Sequence, residues 1–349
     1  MACCRKVAIA LSGGVDSAVA AALLQRRGLN LHGVHLRLSP LAAPPDQVEA
    51  LAHHLGIPLT VIDLQREFAR EVLDYFGSEY ARGRTPNPCV RCNAAIKFGH
   101  LWDYLKIGGF THLATGHYAR RNPDGDGPPG LFRGVDRRKD QSYFLSRLPL
   151  SLLPNLLFPL GQMTKVEVRR IYHEAGLPVR ENQRESMELC FIPAGGYQDF
   201  LKARRGFSGP PGDFVDTGGR LLGRHRGLES YTVGQRRGLG IPARQPFYVI
   251  DLQPELNRVV LGHREELLAP GLTASRMNWL IPPPAGEIEA VAVIRYRHPG
   301  VRARITPRAD GSVQVAFETP QSAVAPGQAL VLFDREQVLG GGWIEARIK

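Results

Sequence analysis

The sequence predicts an α/β protein with an N-terminal doubly wound parallel sheet, a small β-rich central domain and a C-terminal β-barrel. Strands that alternate with helices in the first half predict the parallel sheet, because parallel neighbours need helical crossovers. Short β-rich runs among frequent glycines and prolines predict the other two domains. The chain has 349 residues, enough for two or three domains, and we expect boundaries at 1–200, 201–272 and 273–349.

Apolar runs and helix signals locate the elements of the first domain. Strands are predicted at 6–11, 31–38, 59–64 and 112–116, and helices at 18–27, 47–55, 67–80 and 164–176. The last helix opens with Thr164 and Glu167, the spacing of a capping box, and closes at Gly176. Residues 122–130 predict a loop or hairpin tip.

The second half contains only short β-rich runs. They lie at 231–233, 247–252, 258–261, 313–317, 329–333 and 343–348. A hairpin is predicted from residues 290–298 and 301–305, joined by a turn at His298. Because side chains alternate along a strand, we expect Arg295 and Arg297 on one face, and Arg302 and Arg304 on one face of the partner strand. Such arginines suit phosphate contact, or they protect a solvated strand edge.

Composition restricts the class of protein. The chain is 43% hydrophobic, and its formal net charge of +11 favours a polyanionic partner, although a basic soluble protein is an alternative. We find no apolar run of about 18 residues and no leader pattern, so we expect a cytoplasmic protein without a membrane helix. Five cysteines are too few and too scattered for a disulfide framework, which indicates metal, redox or catalytic use. We give Cys3 and Cys4 little weight as functional cysteines, because they are adjacent and terminal.

The motif Ser12-Gly-Gly-Val-Asp-Ser17 lies between the first strand and the first helix. Its two glycines let backbone N–H groups approach an anion, and the helix points its positive end at the same place. The hydroxyls of Ser12 and Ser17 suit phosphate oxygens, and Asp16 suits Mg²⁺. The loop lacks the lysine of the usual nucleotide loop. The absence of this lysine favours binding of a pyrophosphate group that leaves in the reaction. A glycine turn without a ligand is the alternative.

This motif resembles the signature of the PP-loop ATP pyrophosphatases, which include GMP synthetase, NAD synthetase, argininosuccinate synthetase and tRNA-thiolating enzymes. Five further segments resemble the tRNA-specific 2-thiouridylases, in that family's order and over nearly the whole chain. They are 85–98 (TPNPCVRCNAAIKF), 114–120 (ATGHYAR), 139–144 (KDQSYF), 185–193 (ESMELCFIP) and 234–240 (GQRRGLG). The resemblance implies an adenine nucleotide α-hydrolase-like first domain.

The resemblance also implies an activity: ATP adenylates the C2 oxygen of the wobble uridine in Lys, Glu and Gln tRNAs, and sulfur then replaces that oxygen. It places ATP on Ala10, Leu11, Ser12, Gly13, Gly14, Val15, Asp16, Ser17, Leu36 and Gly116. It places tRNA on Asn87, Pro88, Cys89, His117, Lys139, Asp140, Gln141, Arg295, Tyr296 and Gln328. Arg236 and Arg237 contact the acceptor side of tRNA or form a solvated loop. A sulfur carrier protein or cysteine desulfurase is the implied partner of a monomer.

Sulfur chemistry falls on Cys92 and Cys190. In the family, the cysteine that matches Cys190 carries a persulfide, and the one that matches Cys92 attacks it as nucleophile. Taken without the other motifs, the apolar run around Cys190 predicts that this residue is a buried structural thiol. We expect the cations Arg91 and Lys97 to favour the Cys92 thiolate.

The chain departs from the family at Cys89, where many members carry aspartate. Cys89, Cys92 and Cys190 together match the three ligands of a 4Fe–4S cluster with one open iron. Zinc is a less suitable metal for these three cysteines, because a structural zinc site has four ligands. A cluster and a simple persulfide relay are both consistent with the sequence, and either permits a Cys92–Cys190 disulfide in aerobic material.

Two other functions are weighed. A PP-loop ligase for a small molecule leaves the three cysteines, the charge and the C-terminal barrel unexplained. A non-catalytic RNA-binding protein with a relic nucleotide loop conflicts with the intact motif Ser12–Ser17. Pyrophosphate release from ATP that depends on tRNA separates all three hypotheses.

Overall fold

The computed structural model describes residues 6–39, 45–122, 129–179, 189–192, 196–197, 199–201 and 209–348. The chain divides into two compact units, which are considered separately. Unit 1 comprises residues 1–72, 89–191 and 336–339, and unit 2 comprises 73–88, 192–335 and 340–349. Cys3, Cys4, the predicted loop tip at 123–128 and part of the segment 185–193 lie outside the described residues.

Unit 1 is built on a parallel sheet, as predicted. Its strands are β1 (Val7–Ala10), β2 (Leu31–Arg37), β3 (Leu59–Asp63), β4 (His112–Ala114), β5 (Ala119–Arg121), β6 (Leu131–Arg133) and β7 (Leu156–Leu157). The sheet order is β3-β2-β1-β4-β7, with parallel pairing throughout. β5 and β6 form an antiparallel hairpin around the predicted loop, and β6 also pairs with Gln337 and Val338.

Seven α-helices have both ends among the described residues, and residues 197 and 199–201 are also helical. The seven are α1 (Val15–Arg26), α2 (Pro45–His54), α3 (Gln65–Phe68), α4 (Asp74–Ala81), α5 (Pro88–Cys92), α6 (Leu101–Ile107) and α7 (Lys165–Glu174). Two π-helical segments, Ala69–Leu73 and Asn93–His100, interrupt the α-helical pattern. The helix predicted at 67–80 is therefore three shorter pieces. The predicted capping box at Thr164 and Glu167 is confirmed.

The core of unit 1 explains its sequence pattern. Val7, Ala8 and Ile9 in β1 are fully buried, because helices cover both faces of a parallel sheet. The helix α1 buries an alanine- and valine-rich face in the same core, and α7 packs against α1. This packing places the first turns of both helices at the phosphate motif.

Unit 2 contains a small sheet and a closed barrel, as predicted. The small sheet, in the order β10-β11-β8-β9, consists of β8 (Gly212–Asp216), β9 (Leu221–His225), β10 (Tyr248–Gln253) and β11 (Arg258–Gly262). The barrel order is β12-β15-β14-β13-β16-β17, closed by pairing of β12 with β17. Its strands are β12 (Leu268–Trp279), β13 (Ile288–Val293), β14 (Val301–Pro307), β15 (Val313–Ser322), β16 (Ala329–Asp334) and β17 (Gln337–Ile348).

Two details of unit 2 differ from expectation. Residues 231–233 do not form a strand; they follow a 3₁₀ turn at Leu228–Ser230, and Tyr231 is buried because it packs under the small sheet. The strand predicted at 290–298 ends at Val293. Arg295 and Arg297 therefore lie in the following loop rather than on one strand face, and Arg297 has a left-handed backbone (φ 64°).

The partner strand follows the prediction. Arg302 and Arg304 both lie on the exposed face of β14, alternating with buried Val301, Ala303 and Ile305. Within the part of the chain that the structure describes, no helix is long and apolar enough to cross a membrane.

Candidate active site

The phosphate motif forms a tight turn between β1 and α1. Gly13 adopts φ 80°, a conformation that glycine accepts without strain. The Ser17 hydroxyl accepts from the Ser12 backbone N–H at 3.1 Å and donates to the Gly14 carbonyl at 3.0 Å, which closes the loop on itself. The strand–loop–helix arrangement expected for phosphate binding is present, with the first turn of α1 behind the loop.

Neighbouring strands support this turn from both sides. The buried ring of His35 in β2 hydrogen-bonds through Nδ1 to the Leu11 carbonyl at 2.9 Å. Leu36, the predicted adenine contact, is the next residue of β2 and is half-buried. Gly116, just after β4, lies against the phosphate motif. A Cβ at this position would lie 2.9 Å from the Asp16 carbonyl carbon and the Ser17 nitrogen. The predicted ATP residues therefore converge on one edge of the sheet.

Asp16 has partners in the structure. Its Oδ1 accepts from Lys165 Nζ at 2.7 Å and from the Tyr118 hydroxyl at 2.8 Å. Its side chain is 38% exposed, so the carboxylate is also open on one side. Neither Lys165 nor Tyr118 belongs to the phosphate motif.

The three cysteines among the described residues of unit 1 are free thiols that differ in accessibility. Cys190 is exposed, Cys89 is half-buried and Cys92 is buried. Cys190 is therefore not the buried structural thiol that its apolar neighbours suggest when taken alone. Charge on Cys190 raises the pKa of both other thiols, so the three groups lie within electrostatic range of one another.

Burial controls the ionisation of these thiols. It raises the pKa of Cys89 to about 11 and that of Cys92 to about 12. Cys190 lies at the surface, yet the protein atoms around its sulfur still displace water and raise its pKa. Burial therefore outweighs the cations expected to favour the Cys92 thiolate, although Lys97 does lower the pKa of that thiol. Arg91 supplies no such charge, because its guanidinium pairs with Glu71.

Lys97 is the cation that does act on the thiols. Its charge lowers the pKa of Cys89, Cys92 and Cys190, against the larger effect of burial. Lys97 lies in the π-helical segment Asn93–His100, which follows Cys92 directly.

His117 follows Gly116, just after β4, and is a neutral histidine. Burial, and secondarily the charge of Lys97, lowers its pKa well below the usual range. Its Nδ1 lies 2.7 Å from the Thr115 hydroxyl, and its ring contacts Phe98 and Phe158. At neutral pH this side chain offers hydrogen bonds without carrying charge.

The cysteines were also predicted to bind metal. Among the residues that the structure describes, no group of three or more His, Cys, Asp or Glu side chains is arranged to hold a metal ion. This finding concerns a single bound ion, so the 4Fe–4S cluster on Cys89, Cys92 and Cys190 stays a prediction.

Unit 2 holds the segment Thr85–Pro88 that leads into α5. The Gln328 amide donates to the carbonyls of Thr85 and Pro86 at 3.3 Å each. Its oxygen accepts from the Asn87 amide at 3.4 Å. Gln328, expected to contact tRNA, thus also fixes the backbone of the predicted base-facing loop.

Arg84 anchors the start of the same segment. Its guanidinium donates to Glu79 at 2.8 Å, to Glu345 at 2.7 Å and to the Ile344 carbonyl at 3.1 Å. Its side chain is 18% exposed and that of Glu79 is 7% exposed, so the pair is largely shielded from water.

The remaining predicted tRNA residues differ in what their side chains do. Asp140 is buried and accepts from the backbone N–H groups of Gly134 and Ser142, and the Gln141 oxygen accepts from the Tyr118 backbone. These two side chains shape their loop, while Lys139 is only half-buried. In unit 2, Arg295 donates to the Ser322 carbonyl at 3.2 Å, Arg297 stacks on the Tyr296 ring, and Arg236 and Arg237 are exposed.

Three family models match successive parts of the chain. They are described as a tRNA methyl transferase HUP domain (residues 5–194), a tRNA methyl transferase PRC-barrel domain (198–263) and an aminomethyltransferase beta-barrel domain (269–344). Relatives named tRNA-specific 2-thiouridylase MnmA match nearly the full length. The one from Geobacter metallireducens is 44% identical over 98% of this chain and 97% of the relative. Those from Carboxydothermus hydrogenoformans and Pelobacter propionicus are each 44% identical over 99% of this chain and 98% of the relative.

The chain belongs to the tRNA-specific 2-thiouridylase family. The sequence predicted the phosphate loop and the cysteines of this thiouridylase family member, but not the roles of His35, Tyr118, Arg84 and Lys165. Each of these side chains contacts a partner distant in sequence. Tyr118 lies in the segment 114–120 and Lys165 lies beside the capping box, but neither signal indicates the partner.

Proposed function

We propose that this chain is an ATP-dependent tRNA uridine 2-sulfurtransferase that makes 2-thiouridine at the wobble position of tRNA. The observation that carries the proposal is the joint presence, in unit 1, of an intact phosphate loop and three mutually interacting thiols, one of them exposed. The net charge of +11 suits a polyanionic substrate.

The first step activates the base. The uridine C2 oxygen attacks the α-phosphorus of ATP, a phosphorus–oxygen bond breaks, and pyrophosphate leaves. Residues 10–17 bind the phosphates through backbone N–H groups and the hydroxyls of Ser12 and Ser17. Leu36 and Gly116 border the adenosine. Mg²⁺, held by Asp16, would neutralise phosphate charge.

The second step delivers sulfur. A sulfur carrier protein or cysteine desulfurase transfers sulfur to Cys190, whose exposure suits that exchange. The Cys92 thiolate attacks the Cys190 persulfide and forms a Cys92–Cys190 disulfide, while the terminal sulfur leaves as hydrosulfide. Hydrosulfide attacks C2, the carbon–oxygen bond breaks, and AMP leaves. An external thiol then reduces the disulfide with two electrons.

The raised thiol pKa values have a role in this scheme. A buried thiol stays protonated and protected until tRNA and ATP are bound. Lys97 then favours the thiolate electrostatically, and neutral His117 hydrogen-bonds near the target base.

The tRNA contacts in this proposal involve both units. In unit 1 they include Cys89, His117 and the loop Lys139–Gln141. In unit 2 they include Asn87, Pro88, Arg295, Tyr296 and Gln328, with Arg236 and Arg237 available for the acceptor side. Extrusion of the wobble base is easier from an anticodon loop than from a duplex. We further propose Lys, Glu and Gln tRNAs as substrates, a monomeric cytoplasmic enzyme, and domain boundaries at 200/201 and 272/273.

A 4Fe–4S cluster on Cys89, Cys92 and Cys190 is the alternative sulfur route. Cys89, at a position where many family members carry aspartate, supplies the third thiol that such a cluster needs. Cys89→Asp separates the two routes. A persulfide enzyme keeps its thiolation activity in this variant, whereas a cluster enzyme loses both iron and activity after anaerobic reconstitution.

Pyrophosphate release tests the function as a whole. With ATP and Mg²⁺, the proposed enzyme releases pyrophosphate only when unmodified tRNA is added. Release without tRNA that a small metabolite stimulates would instead indicate a small-molecule ligase. No release under any condition, with tRNA bound, would indicate a non-catalytic RNA-binding protein.

A further inference from the structure

The phosphate loop contains no lysine, yet a lysine from another helix reaches it. Lys165, the first residue of α7, places its Nζ 2.7 Å from Asp16 Oδ1, across 149 positions of sequence. Its side chain is only 14% exposed. Asp16 is the second residue of α1, so the ammonium lies where the first turn of α1 faces the loop.

Several contacts hold Lys165 in this place. Its backbone N–H donates to Asp136 at 2.9 Å, and the capping box of Thr164 and Glu167 fixes the first turn of α7. α7 packs against α1 through buried Val168. The lysine is therefore positioned by a rigid helix start rather than by a surface loop.

A second donor meets the same carboxylate oxygen. The hydroxyl of Tyr118, a residue that is 2% exposed, donates to Asp16 Oδ1 at 2.8 Å. One oxygen thus receives an ammonium and a phenol, while the other side of the carboxylate is open. This arrangement balances the negative charge of Asp16 beside a loop meant for a polyanion, since an unbalanced carboxylate would repel phosphate.

We propose that Lys165 is a phosphate-binding residue that contacts the pyrophosphate portion of ATP. The inference rests on the proposed ATP-dependent function and names a residue that the phosphate motif lacks. The loop itself offers only neutral N–H and O–H donors, whereas an ammonium adds a charge-assisted hydrogen bond to a β- or γ-phosphate oxygen. When ATP binds, the ammonium exchanges Asp16 for phosphate, and Asp16 becomes available to Mg²⁺.

AMP provides the decisive comparison, because it lacks the phosphates that Lys165 would contact. We would measure the Kd of ATP and of AMP by calorimetry, with Mg²⁺ and without tRNA, for wild type, Lys165→Met and Lys165→Arg. Lys106→Met is the matched control, since Lys106 forms an exposed ion pair with Asp103 at 2.9 Å. Retained AMP binding also shows that each variant is folded.

Loss of one charge-assisted hydrogen bond should weaken ATP binding by about 10- to 100-fold in Lys165→Met. AMP binding should change less than twofold, and Lys165→Arg should recover most of the ATP affinity. Unchanged ATP affinity in Lys165→Met, or equal losses for ATP and AMP, would overturn the role of Lys165 while leaving the proposed function intact. Wild-type protein that binds neither nucleotide would instead overturn the proposed function, and the inference with it.

Discussion

Burial of Cys92 should make this thiol unreactive in the protein without substrates, and the size of the effect follows from its environment. With a pKa of about 12, about one Cys92 in 10⁴ is ionised at pH 8, against about one in four for an ordinary thiol of pKa ~8.5. The more basic thiolate regains about 25- to 55-fold in nucleophilicity. Alkylation of Cys92 should therefore be about 40- to 100-fold slower in the folded protein than in urea, before any effect of access.

The chain suits a peptide-resolved assay. Trypsin cleaves after Arg84, Arg91 and Lys97, so Cys89 and Cys92 fall on separate peptides, 85–91 and 92–97. Iodoacetamide labelling followed by mass spectrometry yields the rate for each thiol. In the folded protein the Cys92 rate should rise about tenfold per pH unit from pH 7 to 10, while in urea it levels off above pH ~9. Equal folded and unfolded rates at pH 8 would refute the burial argument.

Three further predictions concern the surroundings of the site. Lys97→Met should raise the pKa of Cys92 further and slow thiolation about tenfold at pH 8, with Lys97→Arg close to wild type and unchanged tRNA affinity as controls in the same kinetic assay. Gly116→Ala should weaken ATP binding by about 1–3 kcal/mol in calorimetry, because the new methyl group would lie 2.9 Å from backbone atoms of the phosphate loop; unchanged affinity would contradict the close approach. Arg84→Met leaves the carboxylate of Glu79 buried without its main partner and should destabilise unit 2 by about 3 kcal/mol in urea unfolding. A loss below about 0.5 kcal/mol, the usual effect of a surface substitution, would contradict this.

The parallel sheet and the phosphate loop were predictable because their signals are local. One continuous stretch of sequence contains three apolar residues of β1, two glycines and the alanine-rich face of α1. The capping box of α7 is equally local and was confirmed. Periodicity alone, however, does not distinguish α- from π-helical winding. The π-helical winding of Asn93–His100 was therefore not predictable.

The errors in unit 2 have a common physical origin. Tyr231 and Arg295 both stand in β-rich sequence, but neither pairs in a ladder: Tyr231 follows a 3₁₀ turn, and Arg295 lies beyond the last paired residue of β13. An apolar or alternating pattern reports burial, and a residue can be buried by packing without being in a strand. Likewise, the contacts of Arg84 and Gln328 link residues more than 240 positions apart, which no spacing rule reveals.

We propose ATP-dependent transfer of sulfur to tRNA through Cys190 and Cys92. Nucleoside mass spectrometry of tRNA, after incubation of iron-free protein with ATP, Mg²⁺ and a cysteine desulfurase with its substrate, tests it most directly. We expect 2-thiouridine with wild-type protein, and none without ATP or with Cys190→Ala or Cys92→Ser. Product formed equally well by Cys92→Ser, or formed only after iron–sulfur reconstitution, would contradict the persulfide route. No 2-thiouridine under either condition, with the desulfurase active, would contradict the proposed function.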